Sequence, residues 1–201
     1  MGAQVFIDLL GSAIIGGIII LTMNQMQGRA VEQTDFYSVT RVAQKNLVAI
    51  AKIVENDFRK MGYGVIDPTK AILQADASSI TFLGDYNRNG KMDTIKYWLG
   101  PTSELKRTPN PNDRILYRKI NKEPALPLDY GLTKFGLHFY DQDMNTVTLL
   151  PAIKIVEINL EVQSQEALFN ENNEVAHTNK KDYYPTVYWK QTRLTSRNLN
   201  R

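Results

Sequence analysis

Nineteen positions near the start of the chain, Val5 to Met23 (VFIDLLGSAIIGGIIILTM), are apolar except for Asp8, Ser12 and Thr22, and include no Lys, Arg or Glu. A helix rising ~1.5 Å per residue over that run comes close to the ~30 Å hydrocarbon core of a bilayer. The run is longer than the apolar region of a secretory signal, and no small-residue cleavage site with a polar flank follows it. The next residues, NQMQGRAVEQTDF, are polar, and the first proline is Pro68. Apolar residues then recur at Phe36, Val39, Ala43, Leu47, Ile50, Val54, Phe58 and Met61, in steps of three and four that trace one face of an α-helix. Lys45, Glu55, Arg59 and Lys60 take the other side, and Gly62 and Gly64 supply the stop. The pattern predicts one long helix over 4–62, with a membrane span at about 5–23 and an amphipathic second half. Unbroken, it would run ~85 Å. Gly11, Gly16, Gly17 and Gly28 are its weakest points, and local unwinding near Gly16 and Gly17 would cost little.

After about Ile66 the period changes from 3.6 to 2. Ser79–Leu83 and Thr94–Leu99 flank DYNRNGKMD and read as a hairpin whose loop contains Asn89-Gly90. Thr102–Arg114 is turn chemistry with two prolines. Ile115–Ile120, Leu132–Tyr140, Ile153–Val162 and Pro185–Leu194 read as further strands. In Ile153–Val162 the residues Val156, Ile158, Leu160 and Val162 face one way and Glu157, Asn159 and Glu161 the other, while Ile155 breaks phase. Gln163–Asp182 is polar and without period, hence a long loop. The expected fold class is α+β: the helix over 4–62 and a β-rich domain over 63–201 with six or so antiparallel strands against the helix.

Composition narrows the chemistry. A net charge of +3, with basic residues spread along the chain, does not mark a nucleic-acid groove, and none is expected as a partner. With no cysteine there is neither thiol catalysis nor a disulfide. The two histidines differ in setting: His138 lies in a strand pattern and His177 in a polar loop. No phosphate loop, Ser–His–Asp order or metal-spaced histidine pair occurs, so an enzyme is not expected and no catalytic residue is assigned. One stretch carries metal-site spacing. Asp85, Asn87, Asn89, Lys91 and Asp93 stand at the first, third, fifth, seventh and ninth places of a calcium loop, with Gly90 at the sharp turn. The twelfth place is Lys96 in place of a bidentate Glu, and Arg88 and Lys91 reduce the negative charge. A weak Ca²⁺ site competes with a plain Asn-Gly turn whose aspartates bond loop amides.

An apolar N-terminal helix with one acid near its start (FIDLLGSAII), an amphipathic extension (NLVAIAKIVENDFRKMGYG), a hairpin and strand (ITFLGDYNRNGKMDTIKYWLG, RILYRKI) and a closing sheet (YGLTKFGLHFYDQD, IKIVEINLEVQS, YWKQTRLTSRN) together resemble type IV pilin-like proteins. Within that class the chain is similar to W-type minor pilins and J-type minor pseudopilins of type II secretion, over nearly its whole length. The resemblance implies a pilin-like fold and a structural subunit that assembles through its helix into a pilus or a secretion-type filament. It implies a single pass through a bacterial inner membrane, with the globular domain periplasmic or extracellular. The implied partners are other pilin-like subunits, membrane lipid, the inner-membrane assembly machinery and a prepilin peptidase, and no cofactor is implied. Cleavage would fall between Ala3 and Gln4, which places Asp8 fifth in the mature chain, where the family usually has glutamate. The short leader MGA lacks a basic residue and has Ala before the cut and Gln after it, where the family has Gly and Phe. Asp8 would pair with the N-terminal ammonium, on Gln4, of a neighbouring subunit and set helix register. Gly11, Gly16 and Gly17, with Ser12 and Ala13, would let neighbouring spans approach closely. The alternative function is a membrane-anchored periplasmic or extracellular module binding protein, sugar or Ca²⁺, in which the helix is only a tether.

Overall fold

The helix runs further than its glycines suggest. In the computed structural model, which describes residues 2–105, 107–168, 183–195 and 197–199, α1 is unbroken from Gly2 to Phe58. Gly11, Gly16, Gly17 and Gly28 do not unwind it. Each glycine weakens a helix interior by only about 1 kcal/mol, and the flanking Ile and Leu residues are adequate helix formers. The chain divides into two compact units, Met1–Ser38 and Val39–Arg201. Helix is the only regular structure described in the first unit. The second holds the rest of α1 and a seven-stranded sheet.

In the second unit the predicted stripe does what its spacing requires. Ala43, Leu47, Ile50, Val54, Phe58 and Met61 are all buried, whereas Phe36, in the first unit, is exposed. The α-helical ladder ends at Phe58, a little before the predicted limit of 62. Lys60 and Met61 then donate their N–H groups to the Asp57 and Phe58 carbonyls, which tightens the last turn, and Gly62 and Gly64 take left-handed conformations (φ 73° and 77°). Gly62 N–H reaches across to the Leu83 carbonyl at 2.7 Å, so the exit from the helix is stitched to the sheet. Opposite that stitch, a Cβ on Gly84 would be driven into the Lys60 carbonyl. Gly84→Ala is expected to cost roughly 1–3 kcal/mol through this overpacking, measured as a lower urea midpoint of the detergent-solubilised chain. An unchanged midpoint would show that the exit turn yields freely.

The sheet is an antiparallel meander in chain order: β1 (Ile72–Asp76), β2 (Ser79–Gly84), β3 (Asp93–Leu99), β4 (Arg114–Ile120), β5 (Leu126–Tyr140), β6 (Ile155–Gln163) and β7 (Thr186–Thr195). Two elements depart from the expected six. β1 was not predicted, because ILQAD does not alternate and only Ile72 and Ala75 turn inward. β5 begins at Leu126, before the expected Leu132. Pro127 there reads as a break, yet it sits opposite Tyr117 in the ladder. A register shift lets β5 pair with β4 over Leu126–Leu132 and with β6 over Leu132–Tyr140. Leu137 N–H also bonds the Ala77 carbonyl of the β1–β2 turn at 2.9 Å, so the sheet curls. β6 starts at Ile155, two residues later than expected, and buries Val156, Ile158, Leu160 and Val162 as its alternation requires, but Ile155 and Glu157 of the opposite phase are buried as well. Only the ends of the predicted Gln163–Asp182 loop lie among the described residues; His177 and most of the loop fall outside them.

One cluster joins the helical stem to the inner face of the sheet. Phe58 packs edge-on to Phe82 (centroids 5.3 Å apart) and tilted against Tyr97 (5.7 Å), which meets Phe135 at 6.3 Å. Ile50, Val54, Ile80, Ile95 and Leu116 fill the space around these rings and are wholly buried.

Candidate functional site

The first unit presents apolar side chains outward. Val5, Phe6, Ile7, Leu9, Leu10, Ile14, Ile15 and Ile18 to Leu21 are all at least half exposed. This part of α1 is long and apolar enough to cross a membrane. Its polar groups are nearly all satisfied within the helix. Ser12 donates its hydroxyl to the Leu9 carbonyl (2.9 Å) and Thr22 to the Ile19 carbonyl (2.8 Å). Asp8 is the exception, exposed and without a partner among the described residues. Gln4 lies four residues earlier on the same helix face, and Ala3 just before it; both are exposed. A Cβ added at Gly11, Gly16 or Gly17 would meet nothing within 4 Å. Among the described residues no contact requires a glycine at any of the three.

The predicted calcium loop is drawn together by its own backbone. Asp85 and Asp93 are buried and face each other across the hairpin mouth, where Gly84 pairs with Asp93. Asp85 accepts N–H bonds from Asn89 (3.0 Å) and Gly90 (2.9 Å), one on each oxygen. Asp93 accepts from Tyr86 N–H (3.1 Å) and from the Asn121 side-chain amide (2.6 Å). Asn87 caps Asn89 N–H, and Asn89 caps Lys91 N–H. Arg88 and Gly90 supply the left-handed turns (φ 58° and 78°). At the twelfth place Lys96 lies in β3 with its ammonium 5.3 Å from the Trp98 ring centre, so it supplies no oxygen. The four carboxylate oxygens therefore each hold an N–H donor. No group of three or more Asp, Glu, His or Cys side chains with metal-site geometry occurs among the described residues. His138 is exposed on β5, opposite Glu157 of β6.

Two charged features escaped the sequence reading. Asp57, 1% exposed, accepts on one oxygen from the Tyr97 hydroxyl (2.5 Å) and Arg118 Nε (2.6 Å). Burial and the Asp57 charge push the Tyr97 hydroxyl far above its ordinary range. The Arg118 guanidinium lies 5.0 Å from the Tyr86 ring centre, and the Lys60 ammonium 4.0 Å from it. A signal existed: Asp57 and Arg118 both stand in phase with core positions, one on the helical stripe and one between Leu116 and Ile120. The second feature is Asp113, at the turn into β4. It is 1% exposed, and burial raises its pKa to about 6, eased by the Thr108 hydroxyl and reinforced by the Asp129 charge. Since this lies above the value of an unfolded aspartate, ionising Asp113 opposes folding, and stability is lost as pH rises through it. Nothing in NPNDR announced its burial.

Comparison with known protein families, curated proteins and solved structures finds no match to this chain. A long N-terminal apolar helix together with an antiparallel sheet is compatible with a pilin-like fold.

Proposed function

We propose that this protein is a pilin-like structural subunit, of the minor pilin or pseudopilin kind, that assembles side by side with other subunits through the first half of α1. The observation that carries this reading is the set of glycines at 11, 16 and 17, which face open space in a helix interior. Each is about 1 kcal/mol worse than alanine there, and among the described residues no contact compensates. Close approach by another helix does, because in lipid small residues let backbones pack at short range. A simple tether has no use for them. On this reading the β-domain is what the assembled helices display outside the membrane.

The test replaces 5–23 with an unrelated apolar span. Single cysteines placed on the exposed face at Ile14 or Ile18 report helix proximity by oxidative crosslinking in membranes, and the natural chain has no cysteine to interfere. The native span is expected to give crosslinked species, and the replacement to reduce them at least about tenfold while the chain still reaches the membrane. Equal crosslinking, with function preserved after the exchange, would favour the tether.

A further inference from the structure

The turn into β4 holds a carboxylate that the fold leaves without a counter-charge. Both oxygens of Asp113 are inaccessible to solvent and neither has a hydrogen-bond donor. The buried Thr108 hydroxyl lies beside it, and no hydrogen bond of ordinary geometry joins the two. The other polar groups of the turn are directed elsewhere. Asn110 donates its amide to Gln163 Oε1 (3.1 Å) and the Ser164 carbonyl (2.9 Å), and Asn112 donates to Gln163 Oε1 (3.2 Å). Arg114, the adjacent cation, gives its Nε to the Gly100 carbonyl at 2.7 Å. Among the described residues no Lys, Arg or His forms an ion pair with Asp113. The nearby charge is of the same sign: the exposed carboxylate of Asp129 in β5. Gly131 (φ 70°) permits a close approach of the strands here. A Cβ there would lie 2.7 Å from the Gln163 carbonyl oxygen and 3.8 Å from Asp113 Oδ1.

A carboxylate taken out of water is tolerated when it is hydrogen-bonded, paired or bound to a metal. Asp113 has neither of the first two. Its surroundings offer oxygen atoms: a second carboxylate, a buried hydroxyl and a backbone carbonyl. Hard divalent cations take such ligand sets, with water completing the coordination shell. In the hairpin loop at 85–93, by comparison, every oxygen of Asp85 and Asp93 holds an N–H, so those carboxylates are already hydrogen-bonded. We infer that the turn at the head of β4, through Asp113 with Thr108 and Asp129 near it, binds a divalent cation of the calcium class. Asp113 and Asp129 supply two negative charges against its two positive ones.

The full chain in detergent, stripped with EDTA, is melted in a CaCl2 series up to about 10 mM, with MgCl2 as a parallel arm, because sites with few carboxylates bind in the 10⁻⁴–10⁻³ M range. Calcium is expected to raise the melting temperature by about 3–6 °C, as a native-state ligand does. Asp113→Asn keeps the shape and removes the charge, so it should melt no lower than the stripped parent and show no calcium response. Asp129→Asn, at an exposed position that does not threaten folding, should move half-saturation roughly tenfold higher by removing one ligand charge. Asp93→Asn should leave the response intact. A parent chain that ignores both cations overturns the inference. So does a response that survives Asp113→Asn, one lost in Asp93→Asn, or an unaltered half-saturation in Asp129→Asn.

Discussion

Arg118→Ala is expected to remove about 3–5 kcal/mol from the stability of the folded domain, because it strips the cation from a buried carboxylate. Asp57 sits on the helical stem with 1% of its surface exposed, and the Arg118 side chain is 13% exposed, so water cannot replace what the mutation takes away. One Asp57 oxygen already lacks a partner, and loss of Arg118 would leave the other with the Tyr97 hydroxyl alone. Tyr97→Phe deletes one hydrogen bond to a charged group and keeps the ring between Phe58 and Phe135, so it should cost about 1.5–3 kcal/mol. The double replacement Asp57→Leu with Arg118→Met removes both charges together and should cost far less than Arg118→Ala, since a buried pair exchanged for apolar groups of similar volume is often near neutral. Urea unfolding of the four proteins closes the comparison. If Arg118→Ala loses less than about 1 kcal/mol, the pair behaves like a surface ion pair and Asp57 has found water.

These two charges also show where the sequence could be read and where it could not. The helix was legible because its apolar positions repeat in threes and fours, and the hairpin because alternation brackets Asn89-Gly90. β1 was hidden because it contributes little to the core, and the first half of β5 because Pro127 looks like a break when only the local stretch is considered. The Asp57–Arg118 contact is long-range: sixty-one positions separate the partners. Its trace was present all the same, as two opposite charges at positions where the periodicity demands apolar residues. Asp113 left no such trace. Its burial is tertiary: Gly131 of β5 lies close to both the Gln163 carbonyl and Asp113, an approach that no local pattern encodes. The aspartates at 85 and 93 lie between these cases. Their spacing fits a turn that bonds its own amides and a calcium loop equally well, and the N–H bonds to Asp85 and Asp93 serve either.

Asp8→Ala should leave membrane insertion intact or improve it, while incorporation into assemblies falls at least about tenfold. The two halves of that expectation have separate physical causes. An acid at the centre of a spanning helix disfavours insertion by about 2.5–3.5 kcal/mol, and by less toward the interface, where a residue three places into the apolar run belongs. Removing it therefore cannot harm insertion. Among the described residues Asp8 has no side-chain partner, while Ser12 and Thr22 bond their own helix, and assembly is the proposed source of an offsetting gain. On the proposed reading the partner is the ammonium of a neighbouring subunit, exposed at Gln4 once the leader is removed. Two opposite charges about 4 Å apart at an effective dielectric near 20 attract by about 4 kcal/mol, and desolvation leaves only part of that as net gain. A third of it suffices for the tenfold loss. Asp8→Glu, which keeps the charge one methylene further out, should restore most of the assembly, whereas Asp8→Asn, which keeps the shape, should not. The readout is the crosslinking yield between spans in membranes, normalised to the inserted chain. Full incorporation of the alanine variant would mean that the glycine face alone sets helix register, and Asp8 would then be an anion near the N-terminus of its own helix, held by that helix's dipole.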